Sequence, residues 1–275
     1  MLDFENDQAA SLRRIMAKPA PKVVSVISAS LEGNQPLLMT NLAATIGANC
    51  NVLLVHAGQE SIEASHHYGT NALPTLLDVA QNKATLTQSI KRTKLEFSVT
   101  KLQPKNQNLM PLERVADAQA SEVFNDLAKR YALILVDTAL SKNNELPLSA
   151  LNEGQILIQL TREPESIKQA YILIKQIYSQ LGRRSFGIIV TGVSDAHAAV
   201  VFRNIAQVAK QFLAIDLEFF GAIPADEHIK RAAKLGRGVV DAFPRVAASI
   251  AFKSLAQRLN YQHTRSVKTE HASLA

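Results

Sequence analysis

The sequence predicts an α/β protein with a mostly parallel sheet of about seven strands and helices on both faces. Short apolar runs alternate with helical patterns along the 275 residues. Strands that are apolar on both faces and separated by helices are typical of a parallel sheet covered on both sides. A hydrophobic content of 47% is enough for one large core. Ligands of such sheets bind at the carboxyl ends of the strands.

These elements follow one another through residues 22–260, which form the predicted domain. The strands are predicted at 23–28, 52–56, 97–102, 132–137, 155–161, 186–191 and 217–223. The main helical patterns cover 37–48, 118–130, 164–181, 197–213 and 246–260. Residues 1–21 form a separate N-terminal helix and proline-containing linker. The polar residues 261–275 are predicted to be a disordered tail.

The composition indicates a cytoplasmic protein. Cys50 is the single cysteine, which excludes an intramolecular disulfide framework and suits a reducing compartment. No apolar run approaches the roughly 20 residues of a transmembrane helix. The first ten residues are acidic and polar, unlike a signal peptide.

The formal net charge is +6, and many basic residues fall in two clusters. They are Lys91, Arg92, Lys94, Lys101 and Lys105, and then Lys230, Arg231, Lys234 and Arg237. Such clusters are usually solvated faces. The alternative is contact with nucleic acid, an acidic lipid surface or an acidic partner.

Residues 28–37, SASLEGNQPL, lie between the first strand and the first helix, where a phosphate-binding loop would lie. Such a loop uses glycines, a lysine and a magnesium-binding hydroxyl. Aligned on the helix start, the segment resembles the deviant Walker A sequence SGKGGVGKTT of MinD/ParA-type ATPases. The positions that depart from it include Ser30 and Gln35 for the two lysines, Pro36 for the hydroxyl residue, and Leu31, Glu32 and Asn34 for glycines. Gly33 is the only glycine of the ten. Taken alone, the segment is equally consistent with any βα turn.

Further segments resemble this family in the same order. YALILVDTALS is similar to its switch strand, with Asp137 and Thr138 retained. QLTREPESI and FFGAIPADE are similar to stretches after later strands, and LPTLLDVAQNKATLTQSI follows the family's pattern. The matches cover about residues 22–255, and their order and spacing imply a MinD/ParA-type fold.

The departures fall on the nucleotide chemistry, so we predict no competent ATPase. His56 and Gly58 replace two aspartates of the family, and Thr191 replaces an asparagine that reads adenine. No cofactor is expected, and ATP with magnesium would bind only if the altered loop still accepts it. Asp137 would then hold magnesium; otherwise it caps the next turn. The adjacent pair His66 and His67 is interpreted as solvated rather than as a metal site.

Residues 7–16, DQAASLRRIM, are predicted to form a short amphipathic helix. Gln8, Leu12, Ile15 and Met16 fall on one face, and Asp7 or Asn6 can cap the helix start. Two prolines at 19 and 21 separate this helix from the first strand. A helix of this length is marginal alone in water, so it docks on its own domain or folds on a partner.

This segment also resembles the DQAxxLR motif of the FlhG family of flagellar-number regulators. The fixed positions are matched by Asp7, Gln8, Ala9, Leu12 and Arg13. The resemblance implies that the helix binds the signal-recognition-type GTPase FlhF and stimulates GTP hydrolysis. Gln8 would orient the attacking water, because a glutamine amide both donates and accepts. Leu12, Ile15 and Met16 would anchor the helix, and Arg13 or Arg14 would pair with acidic groups.

Other partners implied by the resemblance are flagellar switch components or a transcriptional activator. The resemblance is also compatible with a homodimer. If ATP does not bind, however, nothing evident would drive dimerisation that depends on nucleotide. The tail after Gln262 has little apolar periodicity and does not favour membrane contact, although a partner could recruit the protein to the cell pole or membrane.

Two other functions stay open. One is an ATP-binding switch in cell-division site selection or in chromosome or plasmid partition. The other is a DNA-binding or scaffold pseudo-ATPase that uses the basic clusters.

Overall fold

One eight-stranded sheet organises the protein. A computed structural model describes residues 22–30, 35–57, 69–103 and 112–272, with only the backbone described for Lys22 and residues 260–272. The strands are β1 Lys22–Ser28, β2 Val52–Ala57, β3 Lys91–Arg92, β4 Ser98–Lys101, β5 Leu133–Thr138, β6 Gln155–Leu160, β7 Phe186–Thr191 and β8 Leu217–Ile223. Their order in the sheet is β3-β4-β2-β5-β1-β6-β7-β8. Each neighbouring pair is parallel except β3 and β4.

Helices cover both faces of the sheet. They are α1 Gln35–Gly47, α2 Leu76–Ala80, α3 Leu86–Ser89, α4 Arg114–Ala128, α5 Pro164–Leu181, α6 Asp195–Leu213, α7 Glu227–Lys234, α8 Val239–Ala242 and α9 Ala247–Ala272. A 3₁₀ turn forms at Ser149–Leu151. The predicted fold class, an α/β protein with a mostly parallel sheet, is confirmed.

The central strands are buried on both faces because alternate side chains enter two separate cores. One core packs α4, α5 and α6 against the sheet and includes Phe124 and Ile174. The other packs α1 and α9 against the opposite face and includes Met39 and Phe252. This arrangement explains why the central strands read as continuous apolar runs rather than as alternating ones.

Local signals set several helix ends. Helix α5 begins at Pro164, whose fixed backbone angle suits the first helical turn. It ends before Gly182, which has φ of 73°. The capping box of Thr75 and Asp78 starts α2, since each side chain accepts a hydrogen bond from the other residue's backbone N–H.

The structure corrects two boundaries. The sheet gains the antiparallel strand β3, a pair of exposed basic residues with no apolar run to reveal it. Helix α9 continues to Ala272, so the predicted disordered tail of 261–275 is helical through 272. No glycine or proline interrupts the sequence over this range.

No helix in the described ranges is long and apolar enough to cross a membrane.

Candidate functional site

Gln35 turns back onto the sheet at the start of α1. Its Nε2 donates a hydrogen bond to the backbone carbonyl of Val26 in β1, at 3.0 Å. The next residue, Pro36, lies in the first helical turn and has no N–H to offer a ligand. A neutral amide held in this way supplies no positive charge to a phosphate group. Residues 31–34, which include Gly33 and Asn34, lie outside the described ranges.

A chain of hydrogen bonds links the carboxyl ends of β1, β6 and β7. Ser28 Oγ donates to Gln159 Oε1 at 2.5 Å, and Gln159 Nε2 donates to Thr191 Oγ1 at 2.6 Å. The backbone N–H of Ser30 donates to Ser28 Oγ at 3.1 Å. The polar groups at this edge are therefore bonded to one another, with Gln159 almost completely buried between its two neighbours.

His56 and Asp137 form a buried pair on β2 and β5. They lie side by side in the sheet register, with His56 Nδ1 3.1 Å from Asp137 Oδ2. Their side chains are only 3% and 7% exposed. In a neutral imidazole this contact places the proton on Nδ1, which donates to the carboxylate. Asp137 thus has a partner within the protein at the place where the resemblance would put magnesium.

Lys101 extends this row to a third strand. It is paired in register with His56 from β4, and its residue exposure is 9%. Register partners in adjacent strands place their side chains on the same face of the sheet. Three titratable groups therefore share one face at the carboxyl edge: a lysine, a histidine and a carboxylate. Their order across the strands places the histidine between the two formal charges.

A cleft of about 370 Å³ opens beside the chain of hydrogen bonds, at the carboxyl ends of β6, β7 and β8. Its walls are mainly apolar and come from α1, α7, α9 and β8. They are Leu37, Leu38, Ile223, Pro224, Ile229 and Phe252. Gln159 and Thr191 contribute polar groups, and Lys230 is the cation in the lining.

The rim of this cleft is held by Asp226, which caps α7. Its carboxylate accepts hydrogen bonds from the backbone N–H of His228 at 3.0 Å and of Ala248 at 3.2 Å. Burial acts to raise the pKa of Asp226, but these hydrogen bonds and the His228 side chain outweigh it and hold the pKa below its ordinary value. One carboxylate thereby ties α7 to the start of α9.

Asn41 anchors the opposite wall. Its Oδ1 accepts a hydrogen bond from the backbone N–H of Val239 at 2.7 Å, and its Nδ2 donates to the carbonyl of Leu37 at 2.8 Å. Both contacts are internal, and the residue is 4% exposed. Helix α1 is therefore joined to α8 by a buried side chain.

The structure brings several of the predicted site residues to one edge of the sheet. They are Ser30, Gln35, Pro36, His56, Asp137 and Thr191. Gly58 and the His66–His67 pair lie outside the described ranges, as does the N-terminal segment with Asp7, Gln8, Leu12, Arg13, Ile15 and Met16. No group of three or more potential metal-binding His, Cys, Asp or Glu side chains occurs in the part of the chain that the structure describes.

Sequence reasoning missed Gln159 and Asn41, and it placed Lys101, which is only 9% exposed, in a basic cluster interpreted as a solvated face. Gln159 had a usable signal, because it interrupts the apolar run that follows Gln155 in strand β6. Asn41 looks like an ordinary polar position, and the burial of both Asn41 and Lys101 depends on contacts far along the chain.

Solved structures share this arrangement of strands and helices. MinD in the MinC:MinD cell division complex of Aquifex aeolicus superposes with a TM-score of 0.67, covering 86% of this chain and 95% of that one at 19% identity. MinD from Pyrococcus horikoshii, solved with Mg-ADP, gives a TM-score of 0.64 over 87% of this chain and 96% of that one, at 18% identity. ParA-family ATPases show the same likeness. The chain has a MinD/ParA-type fold.

Sequence comparison adds a curated relative to these structural neighbours. The antiactivator FleN of Pseudomonas aeruginosa is 30% identical over 155 residues, which are 56% of this chain and 55% of FleN. The chain thus spans about half the length of this curated relative. No family model matches the sequence. The predicted resemblance to MinD/ParA-type ATPases and to the FlhG (FleN) group is confirmed.

Proposed function

We propose that this protein is a FlhG-like regulator of flagellar number or placement whose MinD-like body has lost ATP hydrolysis. The similarity to FleN supports the regulatory role. The observation that supports the loss of ATP hydrolysis is the hydrogen bond from Gln35 Nε2 to the carbonyl of Val26. Gln35 occupies the position where the family has its phosphate-binding lysine. The body serves as a scaffold, and its regulatory activity is directed at another protein.

The proposed activity resides in residues 7–16. This helix binds an FlhF-type GTPase through Leu12, Ile15 and Met16, with Arg13 pairing with acidic groups and Asp7 capping the helix. Gln8 then enters the partner's active site and orients the attacking water. Positioning and electrostatic stabilisation account for most of the rate enhancement in phosphoryl transfer, so one well-placed amide has a large effect.

The test measures GTP hydrolysis by the FlhF-type GTPase in the presence of the full chain or a peptide of residues 1–22. We expect both to stimulate hydrolysis and Gln8→Ala to remove the stimulation. Ser11→Ala is the matched control, because Ser11 occupies a variable position of the same motif. Equal stimulation by the Gln8→Ala and wild-type forms would refute the role of Gln8.

The internal contacts of the nucleotide site are tested separately by titrating the full chain with Mg-ATP in a calorimeter. We expect no binding tighter than about 1 mM, which corresponds to roughly −4 kcal/mol. The loop lacks the family's two lysines and its magnesium-binding hydroxyl, and Gln35, Gln159 and Thr191 are hydrogen-bonded within the protein. Micromolar binding of Mg-ATP would contradict the proposed loss of the nucleotide site.

An ATP-binding switch is the second candidate, because the cleft of about 370 Å³ remains open beside Thr191. MinD of Pyrococcus horikoshii was solved with Mg-ADP, so the fold accommodates a nucleotide and magnesium. Cell-division site selection or partition would be its function. Micromolar Mg-ATP affinity together with hydrolysis that Asp137→Ala abolishes would favour this candidate.

A DNA-binding scaffold is the third candidate and depends on the basic clusters. Lys230 and Lys234 are exposed on α7, whereas Arg231 and Arg237 already pair with Glu227 and Asp241. Binding to random duplex DNA that weakens steeply with salt would favour it.

A transcriptional activator is the further partner that we propose, because FleN is described as an antiactivator. Flagellar switch components and a second copy of the chain are the other proposed partners. Pull-down of these candidates with the full chain and with residues 22–275 would separate contacts of the body from contacts of the N-terminal segment.

A further inference from the structure

Helix α6 carries an uncharged stripe that faces solvent. Val200, Val208 and Phe212 are 50%, 37% and 66% exposed, and Asn204 lies between them at the same four-residue spacing. Residues four apart lie on one face of a helix. The other large apolar side chains with comparable exposure in the described ranges are Val115, Leu235 and Ile250, each on or beside a different helix. The α6 stripe is therefore a continuous surface.

We propose that the α6 stripe is the docking site for the predicted N-terminal helix of this same chain, residues 7–16. This inference rests on the proposed function of that helix and adds its regulation. In the docked state the helix is held against the body. The partner GTPase must therefore compete with the α6 stripe for the helix before the helix can stimulate GTP hydrolysis.

The position of the stripe suits this occupant. Helix α6 runs antiparallel to the strands it connects, so Phe212 lies near the edge of the sheet where β8 begins. All strands but β3 are parallel, and β1 therefore begins at the same edge with Lys22. The N-terminal segment ends where the chain enters this edge.

The segment reaches the stripe with an extended linker. Two strand spacings, about 10 Å, separate β1 from β7 beneath α6, and a helix packed on the outer face of α6 lies about 19 Å above the sheet, so Met16 and Lys22 would be roughly 21 Å apart. The six Cα–Cα steps from Met16 to Lys22 span about 20–22 Å when extended. The predicted helix of residues 7–16 is about 15 Å long, against about 18 Å from Val200 to Phe212.

The matching face of the segment gives docking a functional consequence. Gln8, Leu12, Ile15 and Met16 share the apolar face of the predicted helix. Docking that buries Leu12, Ile15 and Met16 on the stripe also covers Gln8, the residue proposed to act on the GTPase. A helix this short is marginal alone, so the stripe would order it in the absence of a partner. Docking and activation therefore exclude each other.

Amide hydrogen exchange of residues 7–16 tests the docking without any partner. We expect these amides to exchange at least about tenfold more slowly in the full chain than in a peptide of residues 1–22. Phe212→Ser should return them to the peptide rate, and Val200→Ser should act in the same direction. Val115→Ser is the matched control, since Val115 is 71% exposed on α4, away from the stripe.

The same exchange measurement can overturn the proposal. Equal exchange in the wild-type chain and the peptide would do so, as would protection that survives both Phe212→Ser and Val200→Ser. Both changes are at exposed positions, and thermal unfolding of each variant checks that the fold is kept.

A GTPase assay separates this inference from the proposed function. If both hold, the Phe212→Ser chain reaches half-maximal stimulation at about tenfold lower concentration than the wild type. Peptide stimulation with unprotected residues 7–16 would overturn the docking and keep the proposed function. Protection that depends on Phe212, with no stimulation by any form, would keep the docking and overturn the proposed function.

Discussion

At the carboxyl edge of the sheet, His56 is a hydrogen-bond partner of the Asp137 carboxylate. Its imidazole meets the Asp137 carboxylate at 3.1 Å in a site almost closed to water. A buried carboxylate without a partner is costly, because the protein interior solvates charge poorly. The pairing stabilises Asp137 from within the protein, where a bound cation would otherwise do so.

Replacing His56 with leucine should therefore destabilise the fold. We expect the free energy of unfolding to fall by about 3 kcal/mol, because leucine removes the Nδ1 contact from a nearly buried carboxylate and offers no hydrogen bond in its place. Urea denaturation at pH 7 measures the change. His197→Leu is the control, since His197 is exposed on α6 and should shift the midpoint little. A loss below about 1 kcal/mol for His56→Leu would contradict the importance of the pair.

Asp226 gives α7 a pH-dependent cap. Hydrogen bonds lower its pKa in the folded protein, so its contribution to stability is present above the unfolded pKa of about 3.9. The contribution is lost as the pH falls from about 4 through the lower folded value. Asp226→Asn should thus be less stable than the wild type at pH 7, and this deficit should shrink as the pH falls below 4.

Thermal unfolding between pH 2.5 and pH 7 measures this difference. Asp195→Asn is the control, because Asp195 is an exposed residue in the first turn of α6. Parallel pH profiles for the wild type and Asp226→Asn would show that the cap does not titrate as described.

Strand β7 requires glycine at position 187. A Cβ there would come closer than 3.0 Å to the side chains of Leu157 and Phe220, both of which are buried. Gly187→Ala should therefore cost about 1–3 kcal/mol of unfolding free energy through overpacking. Gly238→Ala is a matched control, since its φ is −72° and its nearest new contact is 3.4 Å away. Equal stability of the two variants would show that the sheet adjusts to the extra methyl group.

The elements that the sequence predicts well are those defined by apolar patterns. The runs at β1, β2 and β5 locate those strands closely, because burial on both faces leaves a continuous apolar signal. Strand β3 has no such signal, since both of its residues are exposed and basic. The length of α9 depends on uninterrupted helix-forming residues rather than on an apolar face.

For the candidate site, the sequence predicts the positions of several residues but not their hydrogen bonds. Alignment to a family motif places Gln35, His56, Asp137 and Thr191 at the correct edge from sequence alone. Their hydrogen bonds could not be predicted, because the partners come from distant strands. Gln159 joins Ser28, 131 residues away in sequence, to Thr191, and Asn41 meets Val239 across 198 residues. Such contacts depend on the finished topology.

At the scale of the whole molecule, the proposed loss of nucleotide binding predicts a fixed oligomeric state. We expect light scattering to give the same molar mass with and without Mg-ATP, because on the proposed function ATP does not bind and cannot change an interface. The measurement distinguishes a permanent monomer or dimer from a nucleotide-controlled one. A mass that doubles when Mg-ATP is added would contradict this prediction and favour the ATP-binding switch as the function.

The central position of β1 has a consequence for synthesis in the cell. Of the eight described strands this one is made before the others, yet its neighbours in the sheet are β5 and β6. About a hundred residues must be translated between them, which takes roughly 5–20 s at ordinary elongation rates. During that interval the apolar run of β1 has none of its final strand neighbours. A chaperone that binds nascent chains would therefore have its longest opportunity at the strand that later occupies the middle of the sheet.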